Sequence, residues 1–127
     1  MDTTIDSLIR IKNGYMSKKD SVLITNTKVT VQICKILKNH NYIGEFTPVA
    51  GDKHKIKVDL VYKDNKPAVN QLIINSKPGR RIYQQAKDIK PVLGGMGLSV
   101  LSTSSGLLSD KDARKVKLGG ELLFSIW

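Results

Sequence analysis

Cysteine is almost missing from this 127-residue chain: Cys34 stands alone, so no internal disulfide can form. The fold therefore cannot lean on an oxidising compartment, and the cytosol or an equivalent reducing space is the expected setting. Acidic residues are scarce too, 11 against 21 Lys and Arg, which leaves a formal charge of +10. Roughly 2 to 8 units suffice to keep a small domain soluble, so the surplus calls for a polyanionic partner. No apolar run nears the roughly 18 residues of a membrane span, and Met1-Asp2-Thr3-Thr4 is acidic where an export leader would be basic. Neither a membrane nor export is expected. Histidine is limited to His40 and His54. Cys34 and His40 fall on one predicted helix and His54 lies beyond a loop, which is not metal-ligand spacing, so no metal and no cofactor are expected.

The residues that are present describe a folded chain. Apolar side chains make up 40% and charged ones 25%, enough for a packed core and too mixed for disorder. The length fits one domain or two small ones sharing a surface. Leu8, Ile9, Ile11, Tyr15 and Met16 fall on one arc at helical spacing, predicting an amphipathic helix over residues 4 to 18, with Thr3 and Asp6 as a weak capping box. Val29, Ile33, Ile36, Leu37 and His40 predict a second helix, capped by Asn26 or Thr27 and ending near 39 to 41. His40 continues that stripe and reads as a packed histidine; Cys34 lies off it and reads as a small, partly buried side chain. Ser21 to Thr25 and Tyr42 to Val49 read as strands, and Lys55 to Tyr62 alternates apolar with polar as a half-buried strand must.

Lys63-Asp64-Asn65-Lys66-Pro67 breaks this pattern and sets the expected boundary between residues 1–66 and 67–127. Beyond it, Val69 to Ile74, Arg81 to Gln84 and Leu98 to Thr103 read as strands, with a turn at Lys77-Pro78-Gly79. Ser109 caps a brief helix through Asp110-Lys111-Asp112, which Gly119-Gly120 stops before a final strand, Glu121 to Trp127. That strand is apolar on both faces and should be central. The predicted class is α+β: a two-helix, three-strand N-terminal α/β domain packed against a mostly β C-terminal domain with one short helix.

Catalytic patterns are weak. Gly94-Gly95-Met96-Gly97 lacks the further glycine and following helix of a dinucleotide loop and the Gly-Lys-Ser/Thr of a Walker loop, so a tight β connection is preferred. Serines crowd residues 99 to 109, but both histidines lie in the other half of the chain, which leaves no evident base for a nucleophile. No catalytic residue is assigned, and no small-molecule substrate is expected. An enzyme acting on nucleotides or nucleic acid through the glycine and serine loops is the competing reading.

The run Ser102-Thr103-Ser104-Ser105-Gly106 is the unusual feature. It reads either as a solvated turn or as an RNA contact, since hydroxyls both donate and accept and so suit 2′-OH groups and base edges, while Gly106 permits close backbone approach. Lys77, Arg80, Arg81, Lys111, Arg114, Lys115 and Lys117 are available for phosphates and Tyr83 for stacking. Lys12 projects into the apolar arc of the first helix, where its stem either simply packs or also delivers its ammonium to a phosphate.

Five segments carry a resemblance: Ser-Lys-Pro-Gly-Arg-Arg-Ile-Tyr (76–83), Leu-Gly-Gly-Met-Gly-Leu (93–98), Leu-Ser-Thr-Ser-Ser-Gly (101–106), Ser-Asp-Lys-Asp-Ala-Arg (109–114) and Gly-Gly-Glu (119–121). With Ile9-Arg10-Ile11-Lys12-Asn13, the chain resembles the eighth protein of the small ribosomal subunit, bacterial type, over essentially its whole length. The resemblance implies a primary ribosomal RNA-binding protein without catalytic activity, docked on a helix in the central domain of small-subunit RNA beside neighbouring small-subunit proteins. The setting it implies is a ribosome of the cytoplasm, or of an organelle stroma or matrix. It also implies that Ser102, Thr103, Ser104 and Gly106 insert at an irregular stretch of that RNA helix, with Tyr83 and Glu121 lining the same surface. Glu121 is then expected to hold an arginine or loop backbone, or to accept from a base amino group. Three departures stand out: Asp2-Thr3-Thr4-Ile5-Asp6 replaces the family's usual Asp-Pro-Ile-Ala-Asp, Ser105 sits where Lys or Gln is common, which implies slightly weaker phosphate attraction at the loop, and Ser109 stands where the helix cap is often Thr, which implies an unchanged cap.

Overall fold

A computed structural model describes residues 2–127, which form two compact units dividing between Asn70 and Gln71. The first unit runs α1 (Thr3–Met16), β1 (Ser21–Thr25), α2 (Lys28–Asn39), β2 (Phe46–Val49), β3 (Asp52–Asp59) and a small hairpin, β4 (Tyr62–Lys63) with β5 (Lys66–Pro67). Its main sheet is antiparallel in the order β1-β3-β2. Ile56 and Val58 of β3 and Ile24 of β1 are buried with Leu8, Ile11 and Tyr15 of α1 and Ile33 and Leu37 of α2. α1 lies close on β1, because a Cβ at Gly14 would stand 2.4 Å from Val22 Cγ1.

Local chemistry sets the ends of these elements. α1 is capped by Asp2, whose carboxylate accepts from Thr4 and Ile5 N–H, and not by Thr3 as the sequence pattern implied. A carboxylate meets the orphan amides and the positive helix end better than a hydroxyl does. α2 carries a reciprocal box in which Thr27 Oγ1 accepts from Thr30 N–H and Thr30 Oγ1 accepts from Thr27 N–H. His40 is exposed at the end of α2 rather than packed, and Cys34 is fully buried rather than partly so. Burial pushes the Cys34 thiol up to about 12. The extended segment expected from Tyr42 shortens to Phe46–Val49, because Asn41 takes a left-handed φ of 63° and turns Tyr42 inward, where Tyr15 Oη donates to its carbonyl. The strand expected over 55–62 is shifted to Asp52–Asp59. The expected break at 63–67 is a closed hairpin turning through Asp64 and Asn65, both left-handed, with Ala68 N–H returning to Val61 C=O.

The second unit contains β6 (Leu72–Ile74), β7 (Tyr83–Gln84), β8 (Leu98–Thr103), β9 (Gly106–Ser109), α3 (Asp110–Val116) and β10 (Gly120–Ile126), with 3-10 turns at Ala86–Asp88 and Val92–Gly95. β10 is central, flanked by β8 on one edge and by β6 and β7 in succession on the other, while β9 pairs with the far side of β8. A strand with partners on both edges and apolar side chains on both faces belongs there. Leu98, Val100, Phe124 and Ile126 are essentially unexposed. α3 covers the other face, where Ala113 meets Leu101 and Ile89, with Leu108 and Leu122 packed around them. Its end is made by Lys117, left-handed at φ 58°, and not by Gly119-Gly120. Gly94-Gly95 lies within a 3-10 turn that feeds β8 directly. Among the described residues no helix is long and apolar enough to cross a membrane.

Candidate nucleic-acid interface

The hydroxyl run forms the hairpin between β8 and β9. Thr103 and Gly106 are the last paired residues, Ser104 and Ser105 make the exposed tip, and Gly106 closes it at φ 94°, a conformation that side-chain-bearing residues resist. Thr103 stiffens the tip from inside, its Oγ1 donating to Gly106 C=O at 2.8 Å and accepting from Ser105 N–H at 3.1 Å. Its donor is thus committed to the turn, while the hydroxyls of Ser104 and Ser105 face solvent.

Register builds the surface beside this tip. Glu121 of β10 stands opposite Ser102 of β8 and opposite Tyr83 of β7, so the three side chains share one face at one end of the sheet. Strand alternation puts Leu101 and Leu122 on the α3 side and this row on the other. Tyr83 is 71% exposed, an aromatic ring with no core to fill. Glu121 accepts from Arg81 at 3.2 Å with its side chain only 18% exposed, so the carboxylate holds an arginine at the rim of the row.

Two glycines bring these strands together. A Cβ on Gly120 would stand 2.2 Å from Ser102 C=O, and one on Gly119 would stand 2.4 Å from Gln84 C=O. The Gly-Gly pair read from sequence as a helix stop is therefore what lets β10 approach β8 and the end of β7.

Between β6 and β7 the chain leaves β10 and turns at Lys77-Pro78-Gly79-Arg80, with Lys77 and Arg80 bonded to each other through both backbone pairs. Buried Ser76 fixes the base of this excursion, donating to Leu122 C=O at 2.6 Å and accepting from Ile82 N–H at 2.9 Å. Lys77, Arg80 and Arg81 are all exposed on it. Ser76 was not singled out from sequence as a site residue; its place just before the Lys-Pro-Gly turn was the available signal.

The remaining predicted residues are placed elsewhere. Lys111 is exposed on the first turn of α3, the length of β9 away from the tip. Arg114 donates at 3.0 Å to Asp110, a buried carboxylate that also accepts from Ser99 N–H. That guanidinium is committed to the fold. Lys12 is half-buried on α1 in the first unit. Among the described residues no three His, Cys, Asp or Glu side chains converge as a metal site.

A hydroxyl tip, an exposed tyrosine and a cationic turn, all carried by the second unit, are groups of the kinds that can attract phosphates and hydrogen-bond to sugars and bases. Comparison with known proteins decides what kind of chain carries it. The family model described as Ribosomal protein S8 matches residues 2–127. The chain belongs to that family. Among its S8 relatives are the small ribosomal subunit protein uS8c of Chlorella vulgaris, 43% identical with 99% of this chain and 98% of the relative covered. The uS8c protein of Tupiella akineta is 44% identical over the same shares of the two chains. The uS8 protein of Malacoplasma penetrans is 40% identical over 100% of this chain and 98% of its own. S8 proteins are structural constituents of ribosomes and not enzymes, which replaces the competing reading of the glycine and serine loops as catalytic.

Proposed function

We propose that this chain is a primary ribosomal RNA-binding protein of the small subunit, docking on a helix in the central domain of small-subunit RNA and supporting its folding and assembly. The single observation that carries the reading is the hairpin tip at Ser104-Ser105, stiffened by Thr103 and set beside the Tyr83–Glu121–Ser102 row. A tip whose backbone is held by Thr103 presents its hydroxyls at a lower ordering cost on binding, which favours recognition of RNA shape. Lys77, Arg80 and Arg81 supply phosphate attraction, and Lys111 adds to it from α3. Thr103, Gly106 and Glu121 position the surface, and Arg114 acts through Asp110 on the start of α3. Lys12 is assigned a phosphate contact of its own from the first unit. Neighbouring small-subunit proteins are the remaining partners, and the place of action is the ribosome of a cytoplasm or of an organelle stroma or matrix.

Hydroxyl-radical footprinting of the full chain on intact small-subunit RNA tests the proposal. Protection confined to one helix of the central domain, lost together with affinity as salt rises, is the expected result. Protection scattered over the RNA would contradict it.

A further inference from the structure

The two edges of the first unit's sheet are not alike. β2 carries Pro48 and a register irregularity between Pro48 and Val49, two devices by which natural sheets block edge pairing. β1, the other edge, keeps five regular pairs with β3 and has neither proline nor lysine from Ser21 to Thr25. Asn26 N–H donates to His54 C=O and Leu60 N–H donates to Asp20 C=O, so the residues of even number bond inward to β3. Ser21, Leu23 and Thr25 therefore turn their backbone groups outward. Thr30 Oγ1 occupies Thr25 C=O, while the N–H and C=O of Ser21 and Leu23 stay open along the edge. Leu23 is 47% exposed on that strand.

Beside the edge runs a groove of about 340 Å³ between α1 and β1, lined by Arg10, Asn13, Ser17 and Lys19 together with Ser21 and Leu23. Its charged lining is cationic, and Asp6 engages Arg10 from the next turn of the helix. We propose that this edge and groove form a docking site for an extended, acidic segment of another protein, which adds as a strand to β1. Its backbone would pair with Ser21 and Leu23 while its carboxylates meet Arg10 and Lys19. A phosphodiester chain would use the cations but leave the outward N–H and C=O ladder and the exposed Leu23 without matching groups. The site uses first-unit residues other than Lys12, which is the one first-unit cation that the RNA reading draws on.

The test titrates the isotope-labelled full chain with a capped octapeptide of alternating threonine and glutamate, or of alternating threonine and lysine, and reads amide exchange. The acidic peptide should slow exchange at Ser21, Leu23 and Thr25 at least tenfold, the basic peptide should not, and Leu23→Pro should abolish the effect. Arg10→Glu with Lys19→Glu should reverse the charge preference while the Ile56 amide stays protected, showing that the sheet is intact. Absence of protection by the acidic peptide, or equal protection by both, overturns the proposal. So does protection by small-subunit RNA, or protection that grows with protein concentration alone, which would mark a second copy. Selective RNA binding retained in the charge-reversed variant keeps failure here separate from failure of the RNA reading.

Discussion

The two units share an excess of positive charge and arrange it in opposite ways. In the first, cations are spread over helices, turns and strands, and in β3 Lys55 and Lys57 alternate with Ile56 and Val58, so that these two lysines mark the wet face of a strand whose other face is core. In the second, Pro91 to Ser109 carries no charge at all, and the cations fall on the excursion at 77–81, at Lys87 and Lys90, and on α3 and its end at Lys117. The uncharged stretch supplies one buried strand, β8, and then a tip of bare hydroxyls. Cations alone confer attraction to any polyanion, whereas a fixed set of neutral donors and acceptors among them can discriminate. On the proposed function, general affinity would belong to the chain as a whole and selectivity to the second unit.

The largest expected effect would break the comparison from the first unit's side. Leu37 is fully buried, and Leu37→Ala should lower stability by about 2–5 kcal/mol in denaturant titration. RNA selectivity of the molecules that remain folded should stay unchanged, and a loss of selectivity would show that the first unit takes part in discrimination. Gly120→Ala works from the other side. Its added carbon meets Ser102 C=O, so a loss of about 1–3 kcal/mol should come with loss of selective RNA binding, because the tip and the row move apart.

Arg114 and Lys111 sharpen the contrast within α3. Arg114→Ala leaves buried Asp110 without its guanidinium and should destabilise the fold by about 1–3 kcal/mol. Lys111→Ala should leave stability alone and reduce the salt dependence of RNA binding by about one unit if a phosphate contact is lost. An unchanged slope would place Lys111 outside the interface. The smallest effect concerns pH. Burial lifts the Cys34 thiol from an ordinary 9.0 to about 12, so its contribution to stability is whole below about pH 9 and is lost as pH rises from there towards 12. Above pH 9 the urea midpoint should fall more steeply for the native chain than for Cys34→Ala, and parallel curves would contradict this.

Much of the fold was legible because hydrophobic period and turn chemistry are local. The strand at Leu98–Thr103, the Ser109 cap and the central place of the last strand all follow from residues within a short window. What was not legible depends on partners distant in sequence. Tyr42 is drawn inward by a hydroxyl on α1, and Gly119-Gly120 matters through Gln84 and Ser102. The commitment of Arg114 depends on Asp110 being buried under β8, which no charge pattern announces. The hydroxyl tip was visible as composition, but its rigidity was not, since that comes from how one threonine spends its two bonds.

The most direct test of the central claim compares the affinity of the native chain and of Ser104→Ala for small-subunit RNA and for an unrelated structured RNA. A loss of about 1–3 kcal/mol on the first with little change on the second is predicted, as expected when an RNA group loses its hydrogen-bond partner. Equal losses on both RNAs, or none on either, would contradict the assignment of selectivity to this turn.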